Sequence, residues 1–300
     1  MEISSSEREG KNLIALKPSL MNKDVIQSYI LTTAKYNFSI YQKRILYRIV
    51  EYFQALLQGK KLDKNFSIEH DSSGLPLISM PISCFRPNVK DKHYIHQIKM
   101  ALMDLQREII QYETKERWES ISLLAFPVIL HYSRIVQFRL HPKVYEFVMD
   151  FSKGYRKYEL ETAMSFRSVY SMRFYELLSG QKHPLTYSIA NIKAMFRLEN
   201  KYKNVGVFIS RVIEQAQKEL DLKSPYSFTY ELEYEEERKQ HVGRKKITGI
   251  TFIPVYRSEN RNSILEYKDL CRTVVLSDVL LPEEQHFFVS LGFTEQELKK

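Results

Sequence analysis

The sequence predicts an α+β chain of two tandem winged helix-turn-helix domains, and three observations carry that expectation. A helix-forming stretch, Tyr170-Ser-Met-Arg173-Phe-Tyr175-Glu-Leu-Leu178, is followed by a second one that ends Ala216-Gln-Lys-Glu219-Leu220-Asp221. Beyond it lies a basic segment between two β-forming runs, Gly243-Arg-Lys-Lys-Ile-Thr-Gly-Ile-Thr-Phe252. The first half of the chain shows the same order of helix, helix and β-rich segments.

Phe38, Tyr41, Ile45, Ile49, Tyr52, Phe53 and Leu56 recur every three or four residues. This spacing predicts a core helix ending near Gly59. Asp63 to Gly74 reads as a polar loop, and Leu77 to Ile82 as a short strand before a turn at Pro87-Asn88. Ile95, Ile98, Leu102, Leu105 and Ile109 then repeat at helical spacing, with Asp91 placed to cap the helix or to sit in its first turn. The opposite face carries Lys92, His93, His96, Lys99, Met100 and Arg107. Residues 111–113, 121–126 and 134–140 are β-rich, with a charged turn at Thr114 to Arg117.

In the second half a helix is expected from about Ser165 to Leu178, burying Phe166, Tyr170, Phe174, Leu177 and Leu178. A turn at Gly180 to Pro184 and a short helix from Ile189 to Phe196 follow. The third helix spans Asn204 to Leu220, with Phe208, Val212, Ala216 and Leu220 spaced by four. Its outer face is Lys203, Asn204, Val207, Ser210, Arg211, Glu214 and Lys218. Ser227 to Tyr234 and Lys246 to Val255 predict a hairpin, the wing, around the charged turn Glu235 to Arg244. Tyr41-x-x-Arg44 and Tyr170-x-x-Arg173 echo each other on the two first helices. The expected division is an N-terminal tail or arm at 1–27, a first winged-helix domain at 28–156, a second at 157–256 and an extension at 257–300 with no assigned role. Lys153 to Lys157, with Gly154, is the expected hinge.

Three hundred residues suffice for two domains, and 44% hydrophobic with 27% charged residues is a globular composition. The net charge of +9 is uneven: 21 Lys and Arg face 16 Asp and Glu over residues 1–150, 18 face 12 over 151–256, and 6 face 8 over 257–300. Both domains are therefore basic, which suits a polyanionic partner. Cys84 and Cys271 are the only cysteines, too few for a disulfide-built secreted domain. The first ten residues lack a basic region followed by an apolar run, and the longest uncharged apolar stretch, Leu123 to Leu130, is too short to span a bilayer. A cytoplasmic protein without membrane attachment is expected.

A third helix seated in the major groove places its exposed N-terminal turns against base edges, while flanking Lys and Arg hold phosphates. This nominates Lys203, Asn204, Val207, Ser210 and Arg211, with Arg211 able to pair with guanine, Asn204 with adenine, and Val207 to touch a thymine methyl. Arg244, Lys245 and Lys246 at the base of the wing would reach phosphates or the minor groove. Lys92, His93, His96 and Lys99 could serve a second half-site. The competing reading of each group is a solvated helix face or a solubilising hairpin. His93 and His96 stand three apart, a spacing that can hold a metal, but no Cys or carboxylate set accompanies them and no metal is expected. The nine glycines are scattered without a phosphate-cradling loop, and the eight histidines include no His-x-His. Neither a nucleotide hydrolase nor a metal-dependent nicking enzyme is expected, and no cofactor is.

These motifs resemble the C-terminal DNA-binding domain of iteron-binding plasmid replication initiators of the RepA/RepE type. There an Arg-aromatic-Tyr-Glu-Leu helix precedes an Ala…Glu-Leu helix and a Gly-Arg-Lys wing; here these are Arg173 to Leu177, Ala216 to Leu220 and Gly243 to Lys245. The likeness covers residues 30 to 256. It implies monomers that bind direct repeats in origin duplex DNA without chemistry of their own and recruit the host initiator, helicase and chaperones. It further implies a homodimer, in equilibrium with monomer and joined mainly through the first domain, that represses its own promoter at an inverted repeat. A winged-helix transcriptional regulator without origin function and a rolling-circle nicking initiator are the alternatives.

Overall fold

The computed structural model describes residues 22–57, 66–70, 75–86, 93–113, 116, 118–235 and 245–276. Residues 1–257 and 258–300 are two separate compact units. In the first, β1 (Asp24–Ser28) leads into the short α1 (Tyr29–Thr33), capped by the Ser28 hydroxyl, which accepts from the Leu31 amide. The long α2 (Ile40–Leu57) follows. Phe38, Tyr41, Ile45, Ile49, Tyr52 and Phe53 are all buried, as their spacing predicts. Gln42, Lys43, Arg44 and Arg48 on the other faces are buried too. α2 is thus enclosed on all sides, which apolar periodicity does not reveal.

Next come β2 (Ser67–His70), β3 (Pro76–Pro81) and a 3-10 turn at Ile82–Phe85, then α3 (Tyr94–Arg107). β2 lies inside the stretch expected to be loop. α3 buries Tyr94, Ile98, Ala101, Leu102 and Leu105, whereas Ile95 is exposed. Ile109 is exposed as well and begins β4 (Ile109–Glu113), because the helix ends at Arg107. β4 pairs with β5 (Trp118–Ser122) as an isolated hairpin. β6 (Ala125–Leu130) and β7 (Ile135–Arg139) complete a sheet of order β2-β3-β7-β6. The expected cap Asp91 and turn Pro87-Asn88 lie outside the described residues.

α4 (Pro142–Met149), which the sequence reading did not foresee, leads to β8 (Tyr155–Glu159). β8 pairs antiparallel with β1 from Asp24↔Glu159 to Ser28↔Tyr155, and the Tyr29 amide donates to the Gly154 carbonyl at 2.9 Å. This corrects the expected hinge: Gly154, with φ +91, makes a turn that only glycine adopts without strain, but Tyr155 to Lys157 are locked in a strand. The expected boundary at 156/157 falls inside that strand.

The helix expected from about Ser165 to Leu178 begins only at Val169, as α6 (Val169–Leu178), and a separate short helix, α5 (Leu160–Ser165), precedes it. Phe166 is extended between them, and the Ser168 hydroxyl caps α6 by accepting from the Tyr170 amide. β9 (Leu185–Ser188) and α7 (Ile189–Met195) follow. The third helix is one continuous run of three parts: α8 (Val205–Phe208), a π-helical turn at Ile209–Glu214, and α9 (Gln215–Lys223). β10 (Tyr226–Tyr234) and β11 (Ile247–Tyr256) form the wing hairpin, and β9 closes a sheet of order β10-β11-β9. Phe174 of α6 centres the core here, with ring centroids 5.2 to 5.3 Å from those of Phe196, Phe228 and Phe252.

Sheet order makes the duplication explicit. β6-β7-β3 in the first half corresponds to β10-β11-β9 in the second, with α2 and α6 as first helices and α3 and the α8–α9 run as third helices. The first half adds β2 at one sheet edge and the β4–β5 hairpin. Its middle helix is reduced to the 3-10 turn.

The second unit holds a 3-10 turn at Ser258–Asn260 and α10 (Ser263–Leu276), with Arg261 paired to Asp269 at 2.7 Å. No helix among the described residues is long and apolar enough to cross a membrane.

Candidate nucleic-acid interface

The turn between α7 and α8 is built before the third helix begins. Arg197 (φ +49) and Tyr202 (φ +54) both take left-handed backbone conformations, which reverse the chain in nine residues. The Tyr202 carbonyl accepts from Lys193 Nζ at 2.8 Å, and its ring packs on Phe208 at 6.2 Å. This anchorage leaves Lys201 and Lys203 exposed on the outer side of the turn.

Asn204 is the helix cap. Its Oδ1 accepts from the Gly206 amide at 2.8 Å and the Val207 amide at 3.3 Å. A Cβ on Gly206 would lie 3.2 Å from that oxygen, so glycine gives the cap its room. A two-bond contact with adenine needs the amide oxygen as well as the nitrogen. Asn204 Oδ1 is therefore engaged at the helix start and is not free for that two-bond contact.

Val207, Ser210 and Arg211 are exposed together on the face beyond the cap, Val207 by 47%. Ser210 and Arg211 sit within the π-helical turn. Phe208, Val212, Ala216 and Leu220 on the opposite face are fully buried. Strict four-residue spacing over-rotates an α-helix by about 40° per step, and a turn closed by i→i+5 bonds takes up part of that rotation. The wide turn keeps the four apolar side chains on the core and Arg211 pointing away from it. Glu214, expected on the outer face, is instead half-buried and accepts from the Tyr230 hydroxyl of β10 at 3.1 Å.

The far end of the helix explains the Glu219-Leu-Asp221 wording. The Glu219 carboxylate accepts from the Arg167 and Ser168 amides ahead of α6, at 2.8 and 3.2 Å, and from Lys223 at 2.7 Å. Burial alone would raise its pKa; the bonds from Lys223 and the Arg167 amide outweigh that and hold it below the ordinary value. Asp221 accepts from the Ser227 hydroxyl at 2.6 Å and pairs with Arg257 at 2.9 Å. One acid fixes the third helix to the first, the other to the wing.

In the wing, Lys245 and Lys246 are exposed just ahead of β11, where the Lys246 carbonyl accepts from the Glu235 amide at 2.9 Å. Arg244 lies outside the described residues, and so does Lys92. Gly249 brings the three strands together, since a Cβ there would stand 3.1 Å from the Tyr187 carbonyl.

In the first half, His93 holds the N-cap position of α3, and His96, Lys99 and Met100 are exposed along it. Among the described residues no group of three His, Cys, Asp or Glu is placed to hold a metal ion. Sequence reasoning missed this half's own wing, the β6–β7 turn His131-Tyr-Ser-Arg134, in which all four residues are exposed and Arg134 has φ +54. The β-rich runs on either side were visible in sequence, but their pairing, and hence the turn, was not.

Two copies of one topology, each presenting a third helix beside a hairpin, define a tandem winged-helix protein. Family models for the WH1 domain of the initiator replication protein and the WH2 domain of the initiator Rep protein match residues 24–179 and 188–254. The chain belongs to this family of replication initiators. Its fold is similar to that of Pi initiator protein, solved in complex with iteron DNA, with a TM-score of 0.59 at 12% identity over 78% of this chain and 97% of that one. No curated protein sequence matches. The first family match ends after α6, although the Phe174 core makes α6 part of the second winged helix.

Proposed function

We propose that this initiator binds repeated sites, iterons, in the duplex DNA of a plasmid origin, with both winged helices of one chain on one repeat. The observation that supports this most directly is the duplication: two third helices, each with exposed polar side chains, each beside a hairpin with cationic residues. In the second domain Arg211, Ser210 and Val207 read bases, while Lys203, Lys245, Lys246 and Arg244 hold phosphates. In the first, His93, His96, Lys99 and Lys92 face the second half-site. Bound monomers recruit the host initiator, helicase and chaperones; no step of bond chemistry is assigned to the protein.

A dimer that represses the protein's own promoter at an inverted repeat completes the reading. β6 supports it: an edge strand whose outward residues Phe126, Val128 and Leu130 are 61%, 44% and 40% exposed, with Tyr132 just beyond. An apolar edge of this kind suits a second copy of the same strand. Mobility shifts on direct and inverted repeats, with mass determined by light scattering, test both parts. The expected outcome is one chain per direct repeat and two per inverted repeat. Only dimers on direct repeats would favour a simple repressor.

A further inference from the structure

The Lys43 ammonium and the Glu176 carboxylate are 2.5 Å apart, both fully buried, one on α2 and the other on α6. They join the first helix of one winged helix to the first helix of the other. Glu176 also accepts from the Tyr47 hydroxyl at 2.6 Å and from Gln27 Nε2 at 3.2 Å, and Lys43 donates to the Tyr36 hydroxyl at 2.8 Å. Gln27 is itself held by the Tyr158 hydroxyl at 2.7 Å. Burial, with the Glu176 charge as the next cause, pushes the Tyr47 phenol well above its ordinary range. It remains a donor at any working pH.

The two arginines of the internal echo flank this pair in reciprocal fashion. Arg44 of the first domain donates to the Met164 and Phe166 carbonyls, at 3.2 and 3.5 Å, in the segment that leads into α6. Arg173 of the second donates to the Ala34 carbonyl of the first at 2.9 Å and to Met195 at 3.3 Å, with its guanidinium 3.8 Å from the centroid of Tyr36. Apolar surfaces slide over one another at little cost. A buried ammonium displaced from its carboxylate has no water to turn to, so one arrangement is strongly preferred.

We propose that Lys43, Glu176, Arg44 and Arg173 form a clasp that sets the separation and rotation of the two third helices, and so the base-pair spacing the protein accepts. They are positioning residues that touch no DNA. The consequence for DNA rests on the reading that both winged helices share one repeat. Inserting one base pair between the two contacted segments moves one of them by about 3.4 Å and turns it by about a tenth of a helical turn.

The test uses the full chain with Lys43→Met and Glu176→Gln together, which removes both charges and keeps an acceptor for Tyr47. A second variant, Arg173→Lys, keeps the charge but loses the planar guanidinium that lies over Tyr36 while its Nη2 donates to both carbonyls. Both are checked for folding by circular dichroism. Spin labels at Met103→Cys and Leu222→Cys, exposed on α3 and α9, in a Cys271→Ser background, report the distance between domains without DNA. The wild type is expected to show one narrow distance distribution and about tenfold weaker binding to the inserted site. The variants should broaden the distribution and bind the two sites within about threefold. An unchanged narrow distribution in a folded variant overturns the clasp. A wild type indifferent to the insertion refutes instead the two-domain reading of a repeat, while the label distances still decide the clasp.

Discussion

Arg211 is exposed on the π-helical turn, opposite a fully buried apolar row, and its proposed role as a base reader rests on that placement. Arg211→Ala is expected to weaken binding to the cognate repeat by about 1–3 kcal/mol and barely to affect unrelated duplex. Competition assays with both DNAs measure the difference. Asn204 behaves oppositely. Asn204→Ala should cost about 1 kcal/mol of stability through loss of the cap, whereas Asn204→Ser, which caps equally well, should leave melting and DNA affinity unchanged. A specific loss of affinity in the Ser variant would restore Asn204 as a reader. The exposed candidates were legible because four-residue spacing divides a helix into faces. The cap was not, because Asn is favoured both at helix starts and at adenine. Glu219 adds a pH dependence. Its folded pKa lies below the ordinary carboxylate value, so its contribution is present above about pH 4.5 and is lost as pH falls through the lowered value. Glu219→Gln should lower stability at neutral pH by about 1.5–3 kcal/mol and flatten that acid limb in denaturant titrations.

Among the elements, α6 carries the second domain because Phe174 meets three other rings. Phe174→Ala should cost about 3–5 kcal/mol, enough to unfold a marginal domain, and calorimetry of the full chain would show it. The wing contributes differently. Lys245→Ala should weaken specific and unrelated DNA alike and reduce the slope of log affinity against log salt by about 0.9. An unchanged slope would take Lys245 off the phosphates. Long helices with apolar rows, α2, α3 and the third helix of the second domain, were all evident in sequence. Short elements were not: β2, β9 and α4 are four to eight residues long and take their stability from pairing or packing that no local pattern records. Nor does composition announce that Gln42, Lys43, Arg44 and Arg48 would be buried. Lys43, Arg44 and Arg48 are satisfied by partners far along the chain, and Gln42 by the nearby Ser39 amide.

On the scale of the whole molecule, the two domains are integrated more closely than a hinge allows. The strand pair β1–β8 and the buried Lys43–Glu176 pair cross the expected boundary, which polar sequence around Gly154 suggested and long-range pairing overrode. The duplication was visible as a shared order of elements and a Tyr-x-x-Arg echo, and sheet order completes it. From it comes the central claim, that one chain reads one repeat with two third helices. Methylation interference on a duplex carrying a single repeat, at a ratio that binds one chain, tests this directly, since guanine N7 reports major-groove contact. The account predicts two clusters of interfering guanines on one face of the duplex, about one helical turn apart. A single cluster, or two that demand two chains, would contradict it.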